Sequence, residues 1–130
     1  MTLEVEDVQH FLISRPRALA ARYEFLTFRQ SAGAREWLNG ILEKVGTAQG
    51  IASNASETRW VSVAFTWNGL RAMGVDEASL ATFPEEFRQG LAARASIVGA
   101  TGHNAPEHWV GQMASPDLHA IVVLFARDPT

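Results

Sequence analysis

The sequence predicts an α+β sandwich, with helices packed on one face of an antiparallel or mixed sheet. Three observations carry the prediction. Residues 34–45 place apolar side chains at helical spacing, residues 60–65 and 118–126 are β-rich apolar runs, and helical patterns lie between the strands. The chain has 130 residues, 47% hydrophobic and 19% charged, the size and composition of one globular domain, so residues 1–130 are expected to share one core.

Taken in order, residues 8–13 (Val-Gln-His-Phe-Leu-Ile) admit an extra strand at the start. Arg22 to Phe28 is aromatic and partly alternating, a strand with Tyr23 and Phe25 on one face. Ser31 is placed to cap the helix that follows. Ala34, Trp37, Leu38, Ile41, Leu42 and Val45 form its apolar stripe, and Gly46 suits a left-handed C-terminal residue. Residues 47–57 are small and polar and read as a loop. Trp60 to Phe65 is a second strand, with Val61, Val63 and Phe65 on one face. Thr66 can cap a short helix through Trp67, Leu70 and Met73, closed by Gly74. After a turn at Asp76 to Leu80, Thr82 is expected to cap a longer helix with Pro84 in its first turn and Phe83, Phe87, Leu91, Ala95 and Val98 along its stripe. Residues 99–116 form a long structured loop. Leu118 to Ala126 is almost wholly apolar, as suits a central strand covered on both faces. The order β-α-β-α-β suggests a ferredoxin-like sandwich of the dimeric α/β-barrel type.

Composition narrows the function. The net charge is -3 and Lys44 is the only lysine, so no basic face for nucleic acid is expected. There is no cysteine, which excludes disulfides, thiolate nucleophiles and thiolate-held metals, and fits a reducing compartment. The acidic start, Met1 to Asp7, is not a signal peptide, and the apolar run 120–126 is too short to span a bilayer. A cytoplasmic protein with no membrane partner is expected.

The four histidines are the first candidates for chemistry: His10, His103, His108 and His119. His119 falls in an apolar strand, where a satisfied structural role is the simpler reading. His103, Glu107 and His108 have the composition of a two-histidine, one-carboxylate metal site for iron or zinc. Two histidines five residues apart around Pro106 do not share a helical face, so a fixed loop is the plainer reading and no metal ligand is assigned. No Gly-x-Ser-x-Gly, Gly-x-Gly-x-x-Gly or phosphate-binding loop occurs. Carboxylates between Asp76 and Glu86 sit at helix starts, where they complement the macrodipole. Trp37, Trp60, Trp67 and Trp109 are possible electron relays, although the spacing of Trp37 and Trp60 suits a core. No catalytic residue is assigned, and no cofactor-binding residue is identified.

Three consecutive blocks resemble the dye-decolourising haem peroxidases. The first is Phe65-Thr66-Trp67-Asn68-Gly69-Leu70-Arg71-Ala72-Met73-Gly74, similar to a strand that ends in Phe-Thr and enters a Gly-Leu helix closing on glycine. The second, Phe83 to Ala95, resembles that family's Phe-x-x-Phe-x-x-Gly-Met-x-x-Arg helix. The third runs from Gly99 through Ala105-Pro106-Glu107-His108-Trp109 and resembles its Gly-Asp-x-Gly and Ala-Pro-x-x-Trp loop, with Ala100 where aspartate is frequent. Asp117-Leu118-His119 resembles the strand that comes next. Weaker similarity extends to Ala21-Arg22-Tyr23 and to Ala34 to Leu38. The resemblance implies an N-terminal ferredoxin-like part of a peroxidase that uses haem b and hydrogen peroxide. It also implies that the Gly-x-x-Asp-Gly motif, the distal arginine and the proximal histidine belong to a C-terminal half, and none of them has a counterpart here. The end at Asp128-Pro129-Thr130, directly after a strand, reads as a cut. The isolated chain is therefore expected to be inactive, to bind no haem tightly, and to self-associate or meet a C-terminal half through an open apolar surface. Two alternatives stand beside it: a stand-alone dimeric module that binds haem or another ligand, and a non-haem metal protein using His103, Glu107 and His108.

Overall fold

The computed structural model describes residues 4–14, 17–49 and 58–128. A 3-10 turn at Val5–Asp7 leads into α1 (His10–Ile13) and β1 (Ala20–Leu26). Then come α2 (Ser31–Ile41), β2 (Arg59–Phe65), α3 (Trp67–Ala72), α4 (Glu77–Ala81), α5 (Glu85–Ala93) and β3 (Ala120–Ala126). The sheet order is β1-β3-β2, so the last strand lies between the first two. It runs antiparallel to both. Leu19 N–H donates to Ala126 O and His119 N–H to Leu26 O on one side; Thr66 N–H donates to His119 O and Arg127 N–H to Thr58 O on the other. Ala120, Val122, Val123 and Phe125 of β3 are buried, as its continuous apolar run predicts for a central strand. The fold is α+β and ferredoxin-like, with an antiparallel sheet.

The chain divides into two compact units. One comprises Met1–Glu24, Trp37–Val63 and Val122–Thr130. Its interior holds His10, Ala48, Trp60, Ser62, Val63, Val122, Val123 and Phe125, with the Phe11 ring stacked 5.3 Å from that of Phe125. The other comprises Phe25–Glu36 and Ala64–Ile121, with Ala34, Met73, Leu80, Ala95, Ala105, Leu118 and Ala120 inside. In that unit α3 packs against α4 and α5, and Leu80 is fully buried.

Several sequence expectations are corrected. Residues 8–13 make no strand ladder. Gln9 forms one isolated bridge to Thr47, and α1 begins at His10, because the Gln9 side chain is committed to the edge of β2. The α2 helix starts at Ser31 itself, with Ala34 N–H bonded to Gln30 O, so Ser31 does not precede it as a cap. It ends at Ile41 and tightens into a 3-10 turn at Leu42–Lys44. Val45 then pairs with Val61, and Gly46 is not left-handed. Pairing with a strand edge wins there over helical spacing, which suits a β-branched valine. Thr82 closes α4, its hydroxyl donating to Ser79 O, and Pro84 stands just before α5. Gly90, at φ 75° and ψ 167°, kinks α5, which ends at Ala93 and leaves Val98 exposed. Residues 50–57 of the expected loop, and 129–130 of the expected cut, lie outside the described residues.

Candidate functional site

Several hydrogen bonds converge where β2 hands over to α3. Thr66 has extended backbone, and its Oγ1 accepts the Gly69 N–H at 2.9 Å, capping the helix. The same hydroxyl donates to Leu118 O at 2.6 Å, and Thr66 N–H donates to His119 O at 3.1 Å. Gly69 presses against the backbone of His119: a Cβ there would stand 1.8 Å from His119 O. Gly74 then closes the helix at φ +85°, the left-handed ending that the sequence predicts.

His119 belongs to this joint. Its Nδ1 accepts the Phe28 N–H at 2.8 Å, and its ring lies 5.6 Å from that of Phe28. The Nδ1 lone pair is thereby occupied by backbone, and the ring ties the end of β1 to the start of β3.

Beside the joint, in the same unit, runs an open groove of about 430 Å³. Phe65, Trp67, Phe87, Leu91, Met113 and Leu118 supply apolar wall, and Asn68, Glu86, Arg88 and Ser115 add polar groups. A volume in the range of roughly 300–1,000 Å³ suits a small molecule. The Asn68 amide donates to Pro116 O at 3.0 Å and Ser115 Oγ accepts the Asp117 N–H at 3.1 Å, so both brace the loop at residues 113–116. Among the described residues no histidine lines the groove.

The remaining histidines lie elsewhere. His103 and His108 face one another across an exposed loop, ring centres 6.5 Å apart, with Glu107 exposed beside them. Among the described residues no three histidine, aspartate or glutamate side chains gather to hold a metal. His10 is buried in the other unit, its N–H bonded to Gly46 O at 2.8 Å, while its Nδ1 has no hydrogen-bond partner among the described residues. Trp60 Nε1 is likewise buried without one, with the Arg127 guanidinium 5.8 Å from its ring. Trp67 lies under Arg71 at 5.6 Å, and Trp109 Nε1 donates to Asn104 O at 2.8 Å. Asp76 caps α4. The Ser79 N–H at 2.9 Å, and then the Ser79 hydroxyl at 2.7 Å, hold its carboxyl below the ordinary carboxylate value.

These residues do not fit a haem. An axial histidine needs a free nitrogen facing an apolar cavity and a second nitrogen oriented by a hydrogen bond. His119 gives Nδ1 to Phe28 as an acceptor, His10 has an unoriented Nδ1, and His103 and His108 stand on an exposed loop away from the groove. No step through haem is assigned to this chain. Among the described residues no helix is long and apolar enough to cross a membrane.

No family model matches the sequence, and no curated protein matches it. Solved structures do. A fungal dye-decolourising-type peroxidase from Auricularia auricula-judae superposes with a TM-score of 0.79 at 19% identity, over 98% of this chain and 28% of its own. A dye-decolourising peroxidase in complex with 2,6-dimethoxyphenol gives 0.79 at 18% identity, with the same coverage of 98% and 28%. A relative from an Amycolatopsis species gives 0.70 at 21% identity, over 95% of this chain and 27% of its own. The chain thus has the fold of a dye-decolourising-peroxidase domain, and it spans 27–28% of the length of the solved peroxidases it matches.

Proposed function

We propose that this chain is the N-terminal ferredoxin-like part of a dye-decolourising-type haem peroxidase, an enzyme that uses hydrogen peroxide to oxidise organic substrates such as dyes. One observation carries the reading: superposition on such peroxidases over 97–98% of the chain at TM-scores up to 0.79. The three sequence blocks at residues 65–74, 83–95 and 99–109, in family order, support it. The single-domain reading of residues 1–130 belongs to the same proposal, as does a cytoplasmic location, which suits a cysteine-free chain.

Peroxide cleavage needs an axial ligand on iron and distal groups that carry a proton and stabilise the departing oxygen. The histidines here are buried without orientation, held by backbone or exposed, and no carboxylate shares the apolar groove wall except Glu86, which is exposed. The contribution of this chain is scaffold: it supplies a sheet and a β2–α3 joint, while ligation and proton transfer fall to residues outside it. The test is a titration of the purified chain with haemin, followed by peroxide and a dye. Broad, weak uptake without bleaching is expected. A sharp Soret band of histidine-ligated haem with turnover would overturn the assignment of the chemistry to other residues.

A further inference from the structure

The connection from α5 to β3 carries two histidines that the peroxidase reading leaves without a role. They stand on consecutive 3-10 turns, Gly102–Asn104 and Pro106–His108. Ala105 between the turns is extended and buried, so it pins the loop from inside. The backbone is held at both turns. Asn104 N–H donates to Thr101 O at 3.1 Å, Ala105 N–H to Gly102 O at 3.1 Å and His108 N–H to Ala105 O at 2.9 Å. Trp109 N–H donates to Pro106 O at 3.2 Å, and its Nε1–H ties the second turn to the first through Asn104 O at 2.8 Å. On this frame the imidazoles of His103 and His108 are exposed, with ring centres 6.5 Å apart and planes at 43°. The fold employs His119 as a backbone acceptor and buries His10, but it makes no such use of this pair.

We propose that His103 and His108 together bind one late first-row divalent cation, copper(II) ahead of zinc(II), with water in the remaining positions. Glu107, which composition groups with them, is not a ligand: among the described residues no third histidine, aspartate or glutamate gathers there. The donor set selects the ion. Calcium and magnesium require oxygen ligands, and a closed zinc site takes four protein ligands. Two imidazoles completed by water suit tetragonal copper(II), which also stands highest in the affinity order of these metals. The spacing is compatible. Two imidazoles held by one ion at about 2.0–2.1 Å have ring centres roughly 4.5 Å apart in adjacent positions and roughly 6.5 Å apart in opposite ones. The pair lies at the upper end of that range, and rotation of two exposed side chains covers the remainder while the hydrogen-bonded backbone stays in place. The bound ion would join the two turns across residues 103 and 108.

The chain has no cysteine and four histidines, so few side chains compete for the ion. Copper(II) is titrated into the purified chain by calorimetry, with glycine as competitor, and zinc(II) in a parallel run. One copper per chain is expected, bound more tightly than zinc. His103→Ala and His108→Ala should each weaken binding about tenfold or more, because either change reduces a two-point attachment to one. The double variant should bind no more weakly than either single one, since the coupling is lost once. Electron paramagnetic resonance of the copper-loaded chain should show two imidazole nitrogens, and one in each single variant. Circular dichroism checks folding. On the native chain, substoichiometric copper should broaden the ring proton signals of His103 and His108 in nuclear magnetic resonance before those of His10 and His119, and this decides if a variant does not fold. Binding that survives both substitutions, losses that add as for two separate sites, zinc bound as tightly as copper, or all four histidines broadening together would each overturn the proposal.

Discussion

Replacing Gly69 by alanine tests the β2–α3 joint directly. The new Cβ would stand 1.8 Å from His119 O, 2.6 Å from its carbonyl carbon and 2.9 Å from its Cα. Carbon contacts settle near 3.5–4.0 Å, so backbone on one side must retreat by more than about 1 Å. Neither side has a flexible tip that can turn away. Retreat breaks the Thr66 N–H bond to His119 O, now 3.1 Å, worth about 1 kcal/mol. Overpacking against backbone adds about 3 kcal/mol, and the helix preference of alanine offsets about 1 kcal/mol. The net expectation is a loss of about 3 kcal/mol. With a urea slope of about 1.5–2 kcal/mol/M, the unfolding midpoint should fall by roughly 1.5–2 M. Gly33→Ala in α2 is the matched control: nothing lies within 4 Å of its Cβ. It should raise stability by about 0.5–1 kcal/mol. Urea titrations followed by tryptophan fluorescence read both. If Gly69→Ala unfolds within about 0.5 kcal/mol of the native chain, as a neutral surface change would, the close approach to His119 is not what fixes α3.

Three further outcomes follow from single hydrogen bonds. Thr66→Ala removes the cap on Gly69 and the bond to Leu118 O, and should cost about 1–2 kcal/mol in the same urea assay, while Thr66→Ser keeps most of it. His119→Leu removes the 2.8 Å bond between the Phe28 N–H and Nδ1 and should cost about 1 kcal/mol; His119→Asn, whose carbonyl can replace Nδ1, should cost less. Asp76 has its folded pKa held below the unfolded value, so its contribution to stability is present above the unfolded pKa of about 3.9 and is lost as pH falls through the folded one. Asp76→Asn should flatten that acid limb in melting temperatures recorded below about pH 4, and an unchanged limb would show that Ser79 does not hold the carboxylate.

How much of this was legible in the sequence depended on whether a residue's local preference agreed with its tertiary role. Residues 118–126 read as a central strand and Ala120–Ala126 forms one, because an apolar run with little polar alternation is buried when both faces are covered. Thr66 and Gly74 read as the two ends of a helix and act so, since cap and left-handed glycine are chemistry of single residues. Helical spacing failed at Val45, where a strand edge in another part of the chain supplied a better partner than one more helical turn. It failed again at Val98, because the pattern could not show that Gly90 adopts positive φ and breaks the stripe. Gln9 was invisible for a third reason. A glutamine whose amide imitates a strand's peptide group leaves no periodic signal, and only the position of Val63 gives it meaning. Of the site, His119 read as a satisfied structural histidine and is one, its Nδ1 accepting the Phe28 N–H, whereas the identity of that partner and the burial of His10 do not follow from neighbours in sequence.

The first of the three blocks that resemble the peroxidases, residues 65–74, is accounted for at three positions by architecture. Its threonine caps α3 and ties down Leu118, its first glycine admits the backbone of His119, and its last glycine ends the helix. Each of these three positions is held by a steric or hydrogen-bonding demand of the β2–α3 joint. Such a block therefore reports a shared fold, which agrees with superposition at TM-scores of 0.70–0.79 and only 13–21% identity. It does not by itself report a shared reaction, because the fold already occupies its threonine and both glycines. Activity has to be argued from groups that the fold does not require. In this chain the buried polar atoms left without a hydrogen-bond partner among the described residues are His10 Nδ1 and Trp60 Nε1.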